Sequence, residues 1–215
     1  MATFNKALET WNARYAREDF HFGEEPSAFV RANAHYLQAS QSILCVADGE
    51  GRNSVFLAGQ GFTVTAFDFA PNAVAKAKRL AACRSVHADL QVGDIFRWDW
   101  TAATYDAVVA VFVQFLAPED RERVFAGMKQ AVKPGGLLLV EGYRPEQVDY
   151  GTGGPPHREH MYTQAWLQRQ FRDWEILELK AYDAVIHEGQ GHNGMSALID
   201  LVARKPLVET ESQGK

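Results

Sequence analysis

The residues best suited to chemistry in this chain are two glycines and a carboxylate within residues 42–68. This stretch opens on an apolar run, ILCV, which is typical of a strand covered on both faces. Gly49 and Gly51 then allow a tight turn and the close approach of a ligand to the backbone. A short helix that includes Asn53 and a second strand, TVTAF, lead to Asp68, whose carboxylate can accept hydrogen bonds from both hydroxyls of a ribose. The stretch therefore predicts half of a nucleotide-binding β-α-β unit, with a helix N-terminus facing the ligand.

The segments after this unit extend it into a sheet. Apolar and β-branched runs predict further strands over residues 88–92, 105–113 and 137–141. Helices are expected from Pro71, over residues 118–132 and over residues 163–171. Gly93 and Asp94 follow the third strand, and the KPGG sequence of residues 133–136 is expected to end a helix before the fifth. Glycines or carboxylates thus mark successive strand ends, where ligands of open α/β sheets bind.

Segments at both ends of the chain frame this core. Two helices, over residues 4–16 and 27–36, precede the first strand and could close over the ligand edge; Ser27 is the expected cap of the second. Near the C-terminus, extended runs at residues 174–186 and 195–204, joined by HEGQGHNG, predict an antiparallel hairpin. We expect one domain over residues 1–206, with a helical cap at 1–40, an α/β core at 41–206 and a tail at 207–215.

Composition and charge narrow the class of protein. The 215 residues are 47% hydrophobic and 23% charged, as in an ordinary globular chain, and the net charge is −5. A nucleic-acid partner would need clustered excess Lys and Arg, and a membrane span would need about 18 consecutive apolar residues. The N-terminus is too polar for a secretory signal, and Cys45 and Cys83 do not form a disulfide framework. These features predict a cytoplasmic monomer or homodimer with a small-molecule substrate and neither nucleic acid nor membrane as partner.

The ordered set of strand-end motifs resembles a known family. An AxGxG turn at residues 47–51, Asp68, the Gly93–Asp94 pair and KPGG, followed by a terminal hairpin, are similar to the class I S-adenosylmethionine-dependent methyltransferases. The Trp11-Asn12-x-Arg14-Tyr15 helix and the FGEEP, GTGGPP and SALIDLVARKP segments resemble the small bacterial tellurite-resistance and thiopurine-methyltransferase type. The resemblance implies a single-domain Rossmann-like fold, with a mostly parallel seven-stranded sheet, a final antiparallel hairpin and an N-terminal helical cap.

The same resemblance implies S-adenosylmethionine as cofactor and assigns residues to it. The implied cofactor-binding residues are Arg14, Ala47, Gly49, Gly51, Asn53, Asp68, Phe69, Asp94, Ile95 and Val111. Asp68 is expected to accept from the ribose hydroxyls, and Phe69 to lie along one face of the adenine. Asp94 would accept from the adenine amino group while Ile95 donates a backbone N–H to the ring edge. Arg14 is expected to pair with the carboxylate of the cofactor.

The implied reaction is methyl transfer to a small acceptor, such as a thiol, a metalloid or another small nucleophile. Proximity and orientation can supply most of the acceleration, so no catalytic triad is expected. Candidate acceptor-side residues are Gln114, Phe115, Tyr143, Arg144, Tyr150, Tyr162, His187 and His192. Gln114, Tyr143 and His187 are preferred for testing. The histidines lack a recognised ligand spacing, so no metal is predicted.

Three positions depart from the family pattern and keep two alternatives open. Cys45 replaces the usual acid at the end of the first strand, Ala47 replaces the first glycine, and Gln114 replaces a frequent histidine. The first two departures leave open a non-catalytic binding protein that kept the fold. The other alternative is a nicotinamide-dependent oxidoreductase, since Gly49-x-Gly51-x-x-Ser54 approximates the dinucleotide fingerprint. The missing third glycine and the absence of a second mononucleotide half argue against that alternative.

Overall fold

The computed structural model describes residues 2–100 and 105–207, with the backbone alone for residues 2–6, and within them the chain forms a seven-stranded mixed sheet flanked by helices. The strands are β1 (Ser42–Val46), β2 (Thr63–Asp68), β3 (Asp89–Val92), β4 (Tyr105–Val111), β5 (Val132–Tyr143), β6 (Glu175–Glu188) and β7 (His192–Arg204). The helices are α1 (Ala2–Tyr15), α2 (Ala28–Asn33), α3 (Arg52–Gly59), α4 (Pro71–Cys83), α5 (Pro118–Ala131), α6 (Gln147–Tyr150) and α7 (Gln164–Gln170).

The strand order is β3-β2-β1-β4-β5-β7-β6, as the Rossmann-like prediction requires. Strands β1 to β5 pair in parallel, whereas β7 pairs antiparallel with both β5 and β6. The parallel sheet and the final hairpin confirm the predicted fold class. Because the first five strands run in one direction, their carboxyl ends lie along one edge of the sheet, where a ligand can bind.

The two faces of the sheet each carry an apolar cluster. Alternate residues of β1 divide between them: Leu44 belongs to the cluster that also contains Phe125 of α5, and Ile43 to the cluster that contains Val74 of α4. This alternation follows from the period-two geometry of a strand. The predicted continuous apolar run is therefore explained by helices on both faces, which hold the strand ends rigidly beneath the candidate site.

Three elements differ from the prediction. The KPGG sequence lies inside β5, which begins at Val132, because its backbone pairs with the end of the hairpin: the Gly135 N–H donates to the Lys205 carbonyl at 2.9 Å. The hairpin strands are longer than predicted and leave a turn of only residues 189–191. Helix α6 occupies part of the predicted loop after β5. Of the predicted tail at residues 207–215, all but Leu207 lies outside the described part of the chain.

The segments before β1 pack against the ligand edge of the sheet. Helix α1 is attached to α4 by Asn12, whose side-chain oxygen accepts the Asn72 N–H at 2.9 Å. Ser27 caps α2 as predicted, because its hydroxyl accepts the Val30 N–H at 3.1 Å. Between these helices runs a segment of residues 19–27, which we call the strap. No helix in the described residues is long and apolar enough to cross a membrane.

Candidate functional site

A cavity of about 440 Å³ opens at the carboxyl ends of the parallel strands. Its walls come from the turn after β1, the tips of β2, β4 and β5, helix α1, the strap, the loop after α6 and the hairpin turn. The volume is within the range of small-molecule sites. Of the four strand-end motifs, the AxGxG turn and Asp68 contribute to the cavity lining, whereas the Gly93–Asp94 pair and KPGG do not.

Asp68, at the tip of β2, is the central carboxylate of the cavity. One of its oxygens accepts the Gly49 N–H and the other the Ala70 N–H, both at 2.9 Å. Burial raises the pKa of Asp68 to about 6, despite these hydrogen bonds. Each carboxylate oxygen has a further lone pair, so the group can still accept bonds from a ligand at neutral pH.

The turn after β1 uses left-handed backbone at three positions. Gly49 has φ +60° and lines the cavity, and a Cβ on it would contact the Tyr15 hydroxyl at 3.4 Å. Gly51, with φ +88°, lies outside the lining, and its Cβ would be 2.6 Å from the Cβ of Ala77. Ala47 adopts φ +48°, which costs a residue with a side chain about 1–2 kcal/mol. Gly51 thus allows α3 to pack on α4, whereas Ala47 and Gly49 face the ligand space.

Asp48, rather than position 45, supplies the acid of this turn. Asp48 lines the cavity and accepts a hydrogen bond from the Ser54 hydroxyl, and burial raises its pKa to about 7. Cys45 is 1% exposed and packs in an apolar cluster with Val55 and Ala66, outside the cavity lining. The side chain at position 45 therefore points into the core, and the acid three residues later points to the ligand space.

Restoring an acid at position 45 is expected to destabilise the fold without improving ligand binding. The new carboxylate in Cys45→Asp would be buried among apolar groups beside Asp48, and an unpaired buried charge is costly. We expect a melting temperature at least about 5 °C lower, equivalent to about 2 kcal/mol. Thermal unfolding checks this, with Cys45→Ala as the matched variant that removes the thiol but adds no charge. Tighter S-adenosylhomocysteine binding at an unchanged melting temperature would contradict it.

Two aromatic side chains form parallel walls of the cavity. The rings of Phe69 and Phe115 are inclined by only 8°, with their centroids 6.4 Å apart. Phe69 follows Asp68, whereas Phe115 follows β4 and is 44% exposed. Offset-stacked rings that contact each other directly have centroids about 4.5–7 Å apart, so the two side chains form one stacked pair with apolar faces at the cavity.

The predicted cofactor residues are only partly brought together. Of the ten, Arg14, Ala47, Gly49, Asn53, Asp68, Phe69 and Val111 line the cavity, and Gly51, Asp94 and Ile95 do not. The Asp94 carboxylate accepts the Phe96 N–H at 2.9 Å, and Ile95 is buried in an apolar cluster. Asn53 also accepts the Ser27 N–H at 2.9 Å and so fastens the strap. The roles assigned to Asp94 and Ile95 stay predictions.

Of the three acceptor-side residues preferred for testing, two line the cavity and His187 does not. Gln114 and Tyr143 line the cavity, but the Gln114 amide donates to and accepts from the Tyr143 backbone at 2.7 and 2.5 Å, which occupies both its ends. His187 lies outside the lining and bonds to Asn193. Its place is taken by His192, which is 6% exposed and lines the cavity. Strand alternation explains the difference. Glu188, the last residue of β6, pairs with His192 of β7, and His187 falls on the opposite face of the hairpin with Asn193.

The remaining sequence candidates divide in the same way. Phe115 lines the cavity, whereas Arg144, Tyr150 and Tyr162 do not. Tyr150 donates to Asp183 at 3.1 Å, and Arg144 pairs with the same carboxylate. The Tyr162 hydroxyl donates to the Val113 carbonyl at 2.9 Å inside the core. These three side chains therefore organise the hairpin and the core rather than the cavity.

The strap is held over the cavity by buried ionic side chains that the sequence did not single out. Glu50 accepts the His21 N–H at 2.7 Å and pairs with Lys76 at 2.5 Å. Arg52 donates to the Phe22 carbonyl at 3.3 Å and pairs with Glu188 at 2.8 Å. These residues connect the strap to α3, α4 and the hairpin. His21 and Phe22 consequently form a fixed wall of the cavity.

The cavity has no evident metal centre. Among residues 2–100 and 105–207, no group of three or more His, Cys, Asp or Glu side chains is arranged to hold a metal ion. His157 and His160 line the cavity with ring centroids 4.9 Å apart. The polar side chains of the cavity lining therefore include carboxylates, histidines, arginines and amides, beside several aromatic rings.

The sequence of this chain is similar to those of known methyltransferases and of one hemagglutinin. Residues 43–136 match the methyltransferase domain family. Hemagglutinin 1 of Eikenella corrodens is 28% identical over 167 residues, which cover 74% of this chain and 52% of that protein. The probable S-adenosyl-L-methionine-dependent methyltransferase TehB of Haemophilus influenzae is 25% identical over 167 residues, which cover 76% of this chain and 57% of that protein.

Solved structures share the fold. TehB from Haemophilus influenzae superposes with a TM-score of 0.69 at 21% identity, covering 92% of this chain and 66% of that chain. N-methyltransferase NodS from Bradyrhizobium japonicum WM9, in complex with S-adenosyl-L-homocysteine, gives a TM-score of 0.70 at 16% identity, covering 93% and 98%. These two likenesses show a shared fold, and the domain match identifies residues 43–136 as a methyltransferase domain of the class I S-adenosylmethionine-dependent type. The chain spans about half the length of the two curated relatives.

Proposed function

We propose that this protein transfers a methyl group from S-adenosylmethionine to a small-molecule acceptor. The observation that carries the proposal is the arrangement of Asp68 and the Phe69–Phe115 pair around one cavity at the strand ends. A carboxylate suits the ribose hydroxyls, and an aromatic face beside it suits the adjoining planar base. These groups are present together, and the Gly49 turn keeps the backbone clear of side chains next to them.

The cavity residues fit the charges of this cofactor. Asp68 would hold the ribose hydroxyls, and the adenine would lie against the Phe69–Phe115 pair. Asp48 would face the ammonium group, which compensates for the acid missing at position 45. Arg14, whose guanidinium lies 4.3 Å from the Trp11 ring centroid, would face the carboxylate. When bound, the cofactor supplies an electrophilic methyl carbon on a sulfonium sulfur.

The chain itself contributes position and the exclusion of water. The strap, fastened through Glu50 and Arg52, covers the ligand edge, and the Gly154–Pro156 loop lines the cavity as well. A water-poor, fixed site favours reactions in which orientation supplies most of the acceleration. Acceptors within the proposal are thiols, metalloids and other small nucleophiles.

Calorimetric binding of S-adenosylhomocysteine and of NAD to the full chain tests the proposed function. We expect saturable one-to-one binding of S-adenosylhomocysteine and no measurable binding of NAD at the same concentrations. The dinucleotide alternative predicts the reverse, namely binding of NAD and no binding of S-adenosylhomocysteine. Binding of neither ligand would contradict the assignment of the cavity. Phe115→Leu is the matched variant: it keeps an apolar wall and should weaken S-adenosylhomocysteine binding about tenfold by removing one stacking face.

A further inference from the structure

Two buried carboxyl groups, those of Glu141 on β5 and Asp200 on β7, lie opposite each other next to the cavity. The two residues are cross-strand partners in the antiparallel β5–β7 pair, so their side chains leave the sheet on the same face, with Cβ atoms about 4.5–5.5 Å apart. Leu139 and Val202, two residues away on each strand, belong to the apolar cluster on the α4 side and so identify that face. Val111, which pairs with Glu141 from β4, lines the cavity. The carboxyl pair is therefore adjacent to a wall of the cavity without lining it.

The enclosure of these two carboxyls disfavours charge on both of them at once. Glu141 is 2% exposed and Asp200 is 5% exposed, and each has one enclosed oxygen without a hydrogen-bond partner among the described residues. Arg52 faces Glu141 from α3 but is already paired with Glu188. Like charges directly opposite each other destabilise a strand pair, and an unpaired buried charge is costly. A carboxyl that keeps its proton removes one charge and supplies a hydrogen-bond donor to the other.

Groups on β6, on α3 and at the end of the strap face this pair. Those that face Glu141 are Asp200, Glu188, Arg52, the Ser27 hydroxyl, Tyr143 and Tyr182, and those that face Asp200 are Tyr182, Glu178 and Lys180. Burial raises the pKa of Asp200 to about 7. Burial, followed by the charges of Glu188 and Asp200, raises the pKa of Glu141 well above its ordinary value. Because the Asp200 charge itself raises the pKa of Glu141, Asp200 ionises first and Glu141 retains the remaining proton.

We propose that Glu141 and Asp200 share one proton at neutral pH and that this proton holds the hairpin against β5 and the cavity closed. Loss of the proton to solvent places two negative charges on adjacent strands where the hairpin meets β5. The same hairpin carries His192 in the cavity wall and holds the strap through the Glu188–Arg52 ion pair. As the pH rises above neutrality, this end of the hairpin should therefore loosen and the cavity should open.

Thermal unfolding of a carboxamide variant at two pH values tests the shared proton. A carboxyl whose pKa is raised in the folded state contributes stability that is present at low pH and is lost as the pH rises through that pKa. Glu141→Gln keeps the shape and the donor but cannot ionise. Its melting temperature should lie within about 2 °C of wild type at about pH 6 and exceed wild type by at least about 3 °C at about pH 9. Glu175→Gln, the matched control, removes an exposed carboxylate of β6 that pairs with Arg204 and should keep the wild-type pH dependence.

Two measurements on the ligand-free wild-type chain decide the case even where Glu141→Gln fails to fold. In carboxyl ¹³C NMR, Glu141 should titrate at least about two pKa units above an ordinary glutamate. In hydrogen exchange corrected for intrinsic rates, the Arg144 N–H, which donates to the Ala197 carbonyl at 2.8 Å, should lose at least about tenfold protection over the same pH range. The Lys205 N–H, which donates to the Gly136 carbonyl at 2.8 Å at the far end of the same strand pair, should keep its protection.

Binding of S-adenosylhomocysteine connects the carboxyl pair to the cavity. Between about pH 7 and pH 9, wild-type affinity should fall at least about threefold more than that of Glu141→Gln, a difference of about 0.7 kcal/mol. This readout rests on the proposed function, so absence of binding at every pH would overturn that function and not the pair. An ordinary pKa for Glu141 in the wild-type chain would overturn the shared proton. A raised pKa with unchanged protection of the Arg144 N–H, or with the same pH dependence of affinity in both proteins, would overturn the closure of the cavity by that proton.

Discussion

Replacing Asp68 by asparagine is expected to weaken S-adenosylhomocysteine binding more than tenfold. Hydrogen bonds to a charged group contribute about 1.5–3 kcal/mol each, and the proposal gives Asp68 two of them with the ribose. The substitution also places an amide N–H₂ where the carboxylate now accepts the Gly49 or Ala70 N–H. Calorimetry measures the affinity, and a melting curve measures how far the loss reflects the fold.

The pH dependence of binding identifies the carboxylate as the cause. Burial raises the pKa of Asp68 to about 6, so the acceptor form is lost as pH falls through 6, and wild-type affinity should decline there. The asparagine variant should lack this part of the decline. Asp89→Asn, on the neighbouring strand, is the control, because Asp89 lies outside the cavity lining and accepts a hydrogen bond from the Gln91 side chain in its own strand. Unchanged affinity in Asp68→Asn would mean that the cofactor is held elsewhere.

The opposite sign is expected for the stability of the ligand-free protein. The pKa values of Asp68 and Asp48, raised by burial to about 6 and about 7, mean that the folded state binds protons more readily than the unfolded state. Their contribution to stability is therefore present at low pH and is lost as pH rises through 6 to 7. Ligand affinity and apo stability thus depend on pH in opposite directions, and a site that binds through these carboxylates requires that opposition.

Sequence patterns predicted the parts of the site that depend on local structure. Asp68 and Gly49 sit at strand ends that short apolar runs and glycines mark, and the parallel sheet brings such ends to one edge. Cys45 belongs to the same local pattern, but only the fold shows which way its side chain points. Strand alternation and the left-handed Ala47 send residue 45 to the core and residue 48 to the cavity.

The parts that sequence did not reveal depend on contacts between distant segments. His187 and His192 look equivalent in a turn, and only the length of the hairpin strands decides which ring faces the cavity. Alternation from Ile186, one of the partly buried apolar residues of β6, carries that signal, since it places Glu188 inward and His187 outward. The attachment of the strap joins residues far apart in sequence, so no local pattern could have shown it. A charged residue such as Arg52 is normally expected at the protein surface, and only the packing of the strap shows that it is buried.

Arg52→Met is expected to lower the stability of the protein by about 3–5 kcal/mol, the cost of leaving a buried charge without its partner. Arg52 is 6% exposed and pairs with Glu188 at 2.8 Å, and the Glu188 side chain is only 12% exposed. Burial alone would raise the pKa of Glu188, but His192 and Arg52 bring it down to about 2. Without the guanidinium, the carboxylate stays in a site that disfavours its charge, and the Phe22 carbonyl loses its donor.

Chemical denaturation of a double-mutant cycle tests whether the pair, rather than either residue, fastens the strap. Glu188→Leu alone leaves Arg52 unpaired and should also be destabilising, whereas the combination with Arg52→Met replaces the ion pair by apolar groups and should recover most of the loss. The sign of the pH effect follows from the low pKa of Glu188: its contribution is present above the ordinary pKa of a glutamate and disappears as pH falls towards 2. The difference between wild type and Arg52→Met should therefore shrink on acidification. Additive losses in the double variant would contradict the coupling, and a loss that persists at low pH would assign the destabilisation to packing instead of charge.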